Sequence, residues 1–114
     1  MTITQEEING RGIKFILKSE EKIIGRAYLY ILHNDLHQDP FGFIEDVFVE
    51  DEYRGQGLGT KMINQILDKA RELGCYKTIM TSRYSNEKVH KLYASLGFED
   101  RGKEFRLNLK NPRT

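Results

Sequence analysis

The sequence predicts a mixed α/β fold in which an antiparallel hairpin feeds a strand-helix-strand unit, in the order β-β-β-α-β-α-β. Three observations predict it: β-rich runs joined by a polar turn near the start, one long amphipathic stripe, and a glycine-rich turn just before that stripe. Ile13 to Lys18 alternates weakly, Ser19-Glu20-Glu21-Lys22 is polar, and Ile23 to Leu32 is rich in Ile, Leu and Tyr, which together read as the hairpin. His33 to Pro40 is a loop. Phe41 to Val49, aromatic and β-branched, is a third, largely buried strand.

Asp51 to Gly59 is a polar turn. Beyond it Leu58, Met62, Ile63, Ile66, Leu67, Ala70 and Leu73 fall on one 3.6-residue stripe, and Gly74 is a left-handed stop. Tyr76 to Thr81 reads as a short buried strand. Val89, Leu92, Tyr93 and Leu96 mark a second amphipathic helix that ends at Gly97, and Glu104 to Leu109 reads as a closing strand. Strands on either side of the first helix should run parallel.

A chain of 114 residues with no repeat or linker is expected to form a single domain spanning 1–114. Its 18 Lys+Arg against 17 Asp+Glu give a net charge of +1, which argues against a dedicated nucleic-acid binder. No segment approaches the roughly 20 apolar residues of a membrane span, so no membrane partner is expected. The lone Cys75 forms no intrachain disulfide, which fits a reducing, cytoplasmic setting. His33 and His37 sit four apart, but in a loop, so no metal is expected.

The chemically informative stretch is Glu50-Asp51-Glu52-Tyr53-Arg54-Gly55-Gln56-Gly57-Leu58-Gly59-Thr60. Glycines at alternate positions between a strand and a helix leave backbone N–H groups uncovered at the positive end of the helix dipole, where a phosphate fits. The alternative is a merely flexible turn. Two familiar phosphate loops fail at Thr60, since neither G-x-x-x-x-G-K-[ST] nor G-x-G-x-x-G is spelled. What is spelled is Arg54-x-x-Gly57-x-Gly59. It resembles the [Q/R]-x-x-G-x-[G/A] signature of the GNAT superfamily of acetyl-CoA-dependent N-acetyltransferases.

Asn86 through Tyr93 to Leu96-Gly97-Phe98 is similar to that family's second motif, N-x6-Y-x2-L-G-F, and the resemblance covers Phe41 to Phe98, about half of the chain. It implies a GNAT-like acyl-CoA N-acyltransferase fold and acetyl-CoA as co-substrate. By the same resemblance Val47, Phe48 and Val49 would line the pantetheine arm. Gly55, Gln56, Gly57, Leu58, Gly59 and Thr60 would wrap the pyrophosphate through backbone N–H groups, with Arg54 near the phosphates or simply solvated. Gly57→Val is expected to clash with the phosphates.

The implied reaction is direct attack of a neutral primary amine on the thioester within a ternary complex. Val47 N–H resembles the family's oxyanion donor, and Tyr93 its general acid; the alternative for Tyr93 is a core aromatic. Asn86 resembles a cofactor-contacting asparagine, and equally fits an N-cap. Relatives often take the proton with a glutamate where Thr81 stands here. Glu45 is the remaining carboxylate, expected to share its strand face with Val47 while Asp46 faces the other way; a water chain is the alternative base.

Ile44-Glu45-Asp46-Val47 and Gly74-Cys75-Tyr76-Lys77 also resemble glucosamine-6-phosphate N-acetyltransferases. An amino-sugar acceptor is therefore one alternative, and a non-catalytic acyl-CoA-binding module is another. The acceptor is expected to be a small-molecule or peptide amine. Only Met1 to Gly12 precedes the hairpin, where family members place a strand and two helices, so the acceptor wall is expected to be missing or much reduced, the site being either open to a large or exposed amine or covered by a second subunit in a homodimer, which would spare apolar surface from water.

Overall fold

The computed structural model describes residues 1–110, and these divide into two compact units, 1–80 and one beginning at Thr81. The first unit contains β1 (Arg11–Ser19), β2 (Lys22–Leu32), β3 (Phe41–Val49), a 3-10 turn (Asp51–Tyr53), α1 (Leu58–Glu72) and β4 (Thr78–Ile79). The second contains α2 (Glu87–Ser95). The sheet order is β1-β2-β3-β4, antiparallel up to β3 and parallel between β3 and β4.

Alternation decides which face is buried. Ala27, Leu29 and Ile44 leave the sheet on the side that meets Met62, Ile63, Ile66 and Ala70 of α1, and all seven are at most 5% exposed. These α1 residues recur at i, i+1, i+4 and i+8, the stripe that a helix lying on a sheet requires. Gly42 permits the close approach of β3 to β4, because a Cβ there would lie 2.9 Å from Leu29 Cδ1 and 3.2 Å from Thr78 Cγ2.

Both helices end in the same way. Gly74 (φ +80°) and Gly97 (φ +98°) adopt the left-handed conformation. After α1, Gly74 N–H donates to Arg71 O and Cys75 N–H to Ala70 O, each at 3.0 Å; after α2, Gly97 N–H donates to Ala94 O and Phe98 N–H to Tyr93 O, also at 3.0 Å. Each pair of bonds is a Schellman cap, which satisfies the carbonyls a helix end leaves over.

Two expected strands differ. The run from Tyr76 to Thr81 yields only Thr78–Ile79, half-buried and exposed respectively, because its pairing with β3 stops at Phe43↔Ile79. The run from Glu104 to Leu109 is not a strand. Its alternating Phe105, Leu107 and Leu109 are 90%, 83% and 87% exposed. Alternation supplies a face, but a strand also needs a ladder partner, and none exists for this run among the described residues.

Candidate active site

The glycine turn is built as an open cradle. Gly55 and Gly57 have φ of +81° and +77°, and Gly57 is the N-cap of α1. A Cβ on Gly55, Gly57 or Gly59 would meet no protein atom within 4 Å, so the outer side of the turn is bare backbone. The first hydrogen bond of α1 runs from Lys61 N–H to Gly57 O, and no side chain caps the helix. The amides of Leu58, Gly59 and Thr60 therefore have no helix carbonyl to reach, and no acidic residue of the first turn offsets the dipole. That is the donor set a phosphate needs.

Three side chains of the turn, Arg54, Gln56 and Leu58, are engaged elsewhere. Gln56 and Leu58, with Leu17, Lys18, Ile24 and Tyr53, line a cavity of about 410 Å³ between the turn and the β1-β2 hairpin. Arg54 is held by protein: its Nε donates to Val49 O at 2.7 Å, its Nη1 lies 2.7 Å from Asp51 Oδ1, and its guanidinium lies over the Phe48 ring at 5.6 Å. Arg54 thus fastens the end of β3 to the turn.

β3 carries the feature that sequence reasoning missed. Tyr28 pairs with Glu45 and Arg26 with Phe48, so Asp46 and Val47 together oppose Ala27 in a β-bulge, with Asp46 at φ +54°. The expected alternation fails at that point. Phe48, rather than Val47, follows Glu45 on the Arg26–Tyr28 face. The Asp46 carboxylate does not face away: it accepts from Arg26 Nε at 2.7 Å and Nη2 at 3.2 Å, on that same face. Glu45 and Asp46 are both exposed, so no burial cost weighs on the pair. The Arg26 hydrogen bond holds the Asp46 carboxyl below its ordinary range. The available signal was an Asp in mid-strand, a residue that tolerates the left-handed region.

On the side of β4 the pairing of β3 ends at Phe43↔Ile79. Residues 44–49 of β3, Val47, Phe48 and Val49 among them, have no strand neighbour there among the described residues. Thr81 lies outside β4, not on it.

In the second unit, Asn86 is the N-cap of α2, its Oδ1 accepting from Val89 N–H at 3.4 Å. Tyr93 packs its ring 6.0 Å from that of Phe98, the hydrophobic contact that accompanies the Schellman cap. Burial raises the Tyr93 phenol above its ordinary pKa. The second motif is therefore a self-contained helix with both caps written into it. His33 and His37 are occupied in their loop, His33 donating to Gln38 O at 2.6 Å and His37 stacking on Tyr76 at 3.9 Å.

Residues 2–98, which include the uncapped start of α1 and the strand beside it, are matched by the family model for "Acetyltransferase (GNAT) family". The chain belongs to the GNAT family of acetyltransferases. Among its relatives, a glucosamine 6-phosphate N-acetyltransferase of Trypanosoma brucei brucei is 43% identical over 68 residues, 60% of this chain and 44% of that protein. A thialysine N-epsilon-acetyltransferase of Bos taurus is 36% identical over 58 residues, 51% of this chain and 34% of that protein. A crystal structure of a Trypanosoma brucei acetyltransferase superposes with a TM-score of 0.78 at 34% identity, covering 86% of this chain and 69% of that one. This GNAT chain spans less than half the length of those two curated relatives.

Proposed function

We propose that the protein transfers an acetyl group from acetyl-CoA to a primary amine. The observation that carries this reading is the glycine turn, whose Leu58, Gly59 and Thr60 amides lack a cap and whose glycines leave open space beside the backbone. Acetyl-CoA supplies the acyl group as an activated thioester. The backbone of residues 55–60, with the Thr60 hydroxyl, binds the pyrophosphate. The unpaired edge of β3 at Val47 to Val49 receives the pantetheine arm, and Val47 N–H donates to the carbonyl oxygen of the thioester.

Glu45 takes the proton from the acceptor ammonium, and the amine nitrogen then forms its bond to the acetyl carbon as the carbon–sulfur bond breaks. Tyr93 gives its phenolic proton to the departing sulfur, and the second proton that the nitrogen sheds on becoming an amide restores the phenol. Among the described residues the Tyr93 hydroxyl makes no hydrogen bond, which supports this assignment. Asn86 spends its Oδ1 on the α2 cap, so any contact with acetyl-CoA falls to its amide NH2.

The relatives named for glucosamine 6-phosphate and thialysine favour a small amine as acceptor. We also propose a homodimer, because Ile3, Ile8 and Ile16 are 97%, 70% and 49% exposed. Release of CoA thiol over a panel of amines tests the reaction. The expected result is thiol release that depends on the amine; saturable acetyl-CoA binding without release by any amine would favour an acyl-CoA-binding module instead.

A further inference from the structure

The sheet face turned away from α1 carries a set of side chains that binding acetyl-CoA does not require. Across neighbouring strands the register places Lys14 opposite Tyr28 and Tyr28 opposite Glu45, so the three share one face. The Lys14 ammonium stands 5.7 Å from the Tyr28 ring centre, and Tyr30 stacks on Tyr28 at 6.1 Å with ring planes 5° apart. Arg26 and Asp46, beside them, form an ion pair, and the Lys14 charge also acts on Asp46. Glu45 and Lys14 enter none of the salt bridges among the described residues. The face thus offers one anion and one cation with an aromatic floor between them.

Building on the proposed acetyl transfer, we infer that this face selects an acceptor bearing a distal anionic group: the reacting amine at Glu45, the carbon skeleton on Tyr28, and a carboxylate or phosphate at Lys14. Two interstrand spacings separate the Cα atoms of Lys14 and Glu45 by about 10 Å. An amine several bonds from its anion fits, whether the anion is a carboxylate on a linear chain or a phosphate on an amino sugar. Lys14 is a specificity residue in this account and takes no part in bond making.

The test compares matched acceptors that differ in the anion: 6-aminohexanoate against 1,5-diaminopentane, and glucosamine 6-phosphate against glucosamine. The wild type should prefer the anionic member of at least one pair, and the pair that shows it identifies carboxylate or phosphate. Lys14→Met should lower kcat/KM for that acceptor about fivefold, the scale of an exposed ion pair, through KM, with the KM for acetyl-CoA unchanged. Lys14→Glu should invert the preference toward the cationic or neutral partner. Turnover without anion preference, or a preference indifferent to Lys14, would overturn the inference and leave acetyl transfer standing. If none of the four amines reacts, acetyl transfer to such acceptors fails, and titration of the same compounds into the CoA complex still decides the face: Lys14-dependent binding of the anionic members supports it, and equal or absent binding overturns it.

Discussion

Asp46 holds a left-handed conformation in the middle of a strand, and its carboxylate is tied to Arg26 across the bulge. An L-residue in that conformation costs roughly 1–2 kcal/mol, least for Asn and Asp. Asp46→Val should therefore destabilise the protein by about 1–2 kcal/mol in urea denaturation, whereas Asp46→Asn should keep the backbone and lose only the charge. The carboxyl has a lowered pKa in the folded state, so its contribution is present above the ordinary carboxylate range and is lost as pH falls through the depressed value. Stability measured from pH 6 downward should decline less steeply in Asp46→Asn than in the wild type, and by a small margin because the pair is solvent-exposed. The bulge was hidden in the sequence because Phe41 to Val49 has strand composition throughout, and composition carries no record of two residues sharing one partner.

At the scale of elements, the second motif separates structural from catalytic roles. Tyr93→Phe retains the ring contact with Phe98 and loses only the hydroxyl, so helix stability should hold while turnover falls, with acetyl-CoA affinity nearly intact. Normal turnover would remove Tyr93 as the acid. Because burial raises the phenol above its ordinary value of 10, Tyr93 stays protonated through neutral pH, and its loss should appear in the rate profile only above that value. Asn86→Ala should cost about 1 kcal/mol through the N-cap alone, read by thermal denaturation. α1 was legible because its period and stop glycine agree, and α2 because period, N-cap and stop glycine all agree. β4 was legible in place and direction but not in length, and the run from Glu104 to Leu109 was not legible as the non-strand it is, because a strand depends on a partner elsewhere in the chain and local alternation does not reveal one.

For the whole molecule, the glycine turn was readable from its letters while the acceptor face was not. Three glycines and an arginine sit within a few residues of one another, whereas Lys14, Tyr28 and Glu45 come from three strands and meet only through the register. The proposed homodimer predicts a sedimentation mass near twice the 13.3 kDa of one chain. A monomer at high concentration would remove it.

The central claim is that bare backbone at the start of α1 holds acetyl-CoA. Gly57 is a poor probe, since its φ of +77° strains any side chain irrespective of ligand. Gly59 has no positive φ and open space around it, so Gly59→Val adds bulk to the cradle at no cost in helix propensity, in which valine ranks above glycine. Calorimetric titration of acetyl-CoA into the wild type and into Gly59→Val, with melting temperatures matched, tests the claim directly. Binding by the wild type and its loss in the variant is the predicted result; equal affinity in the two proteins would contradict it.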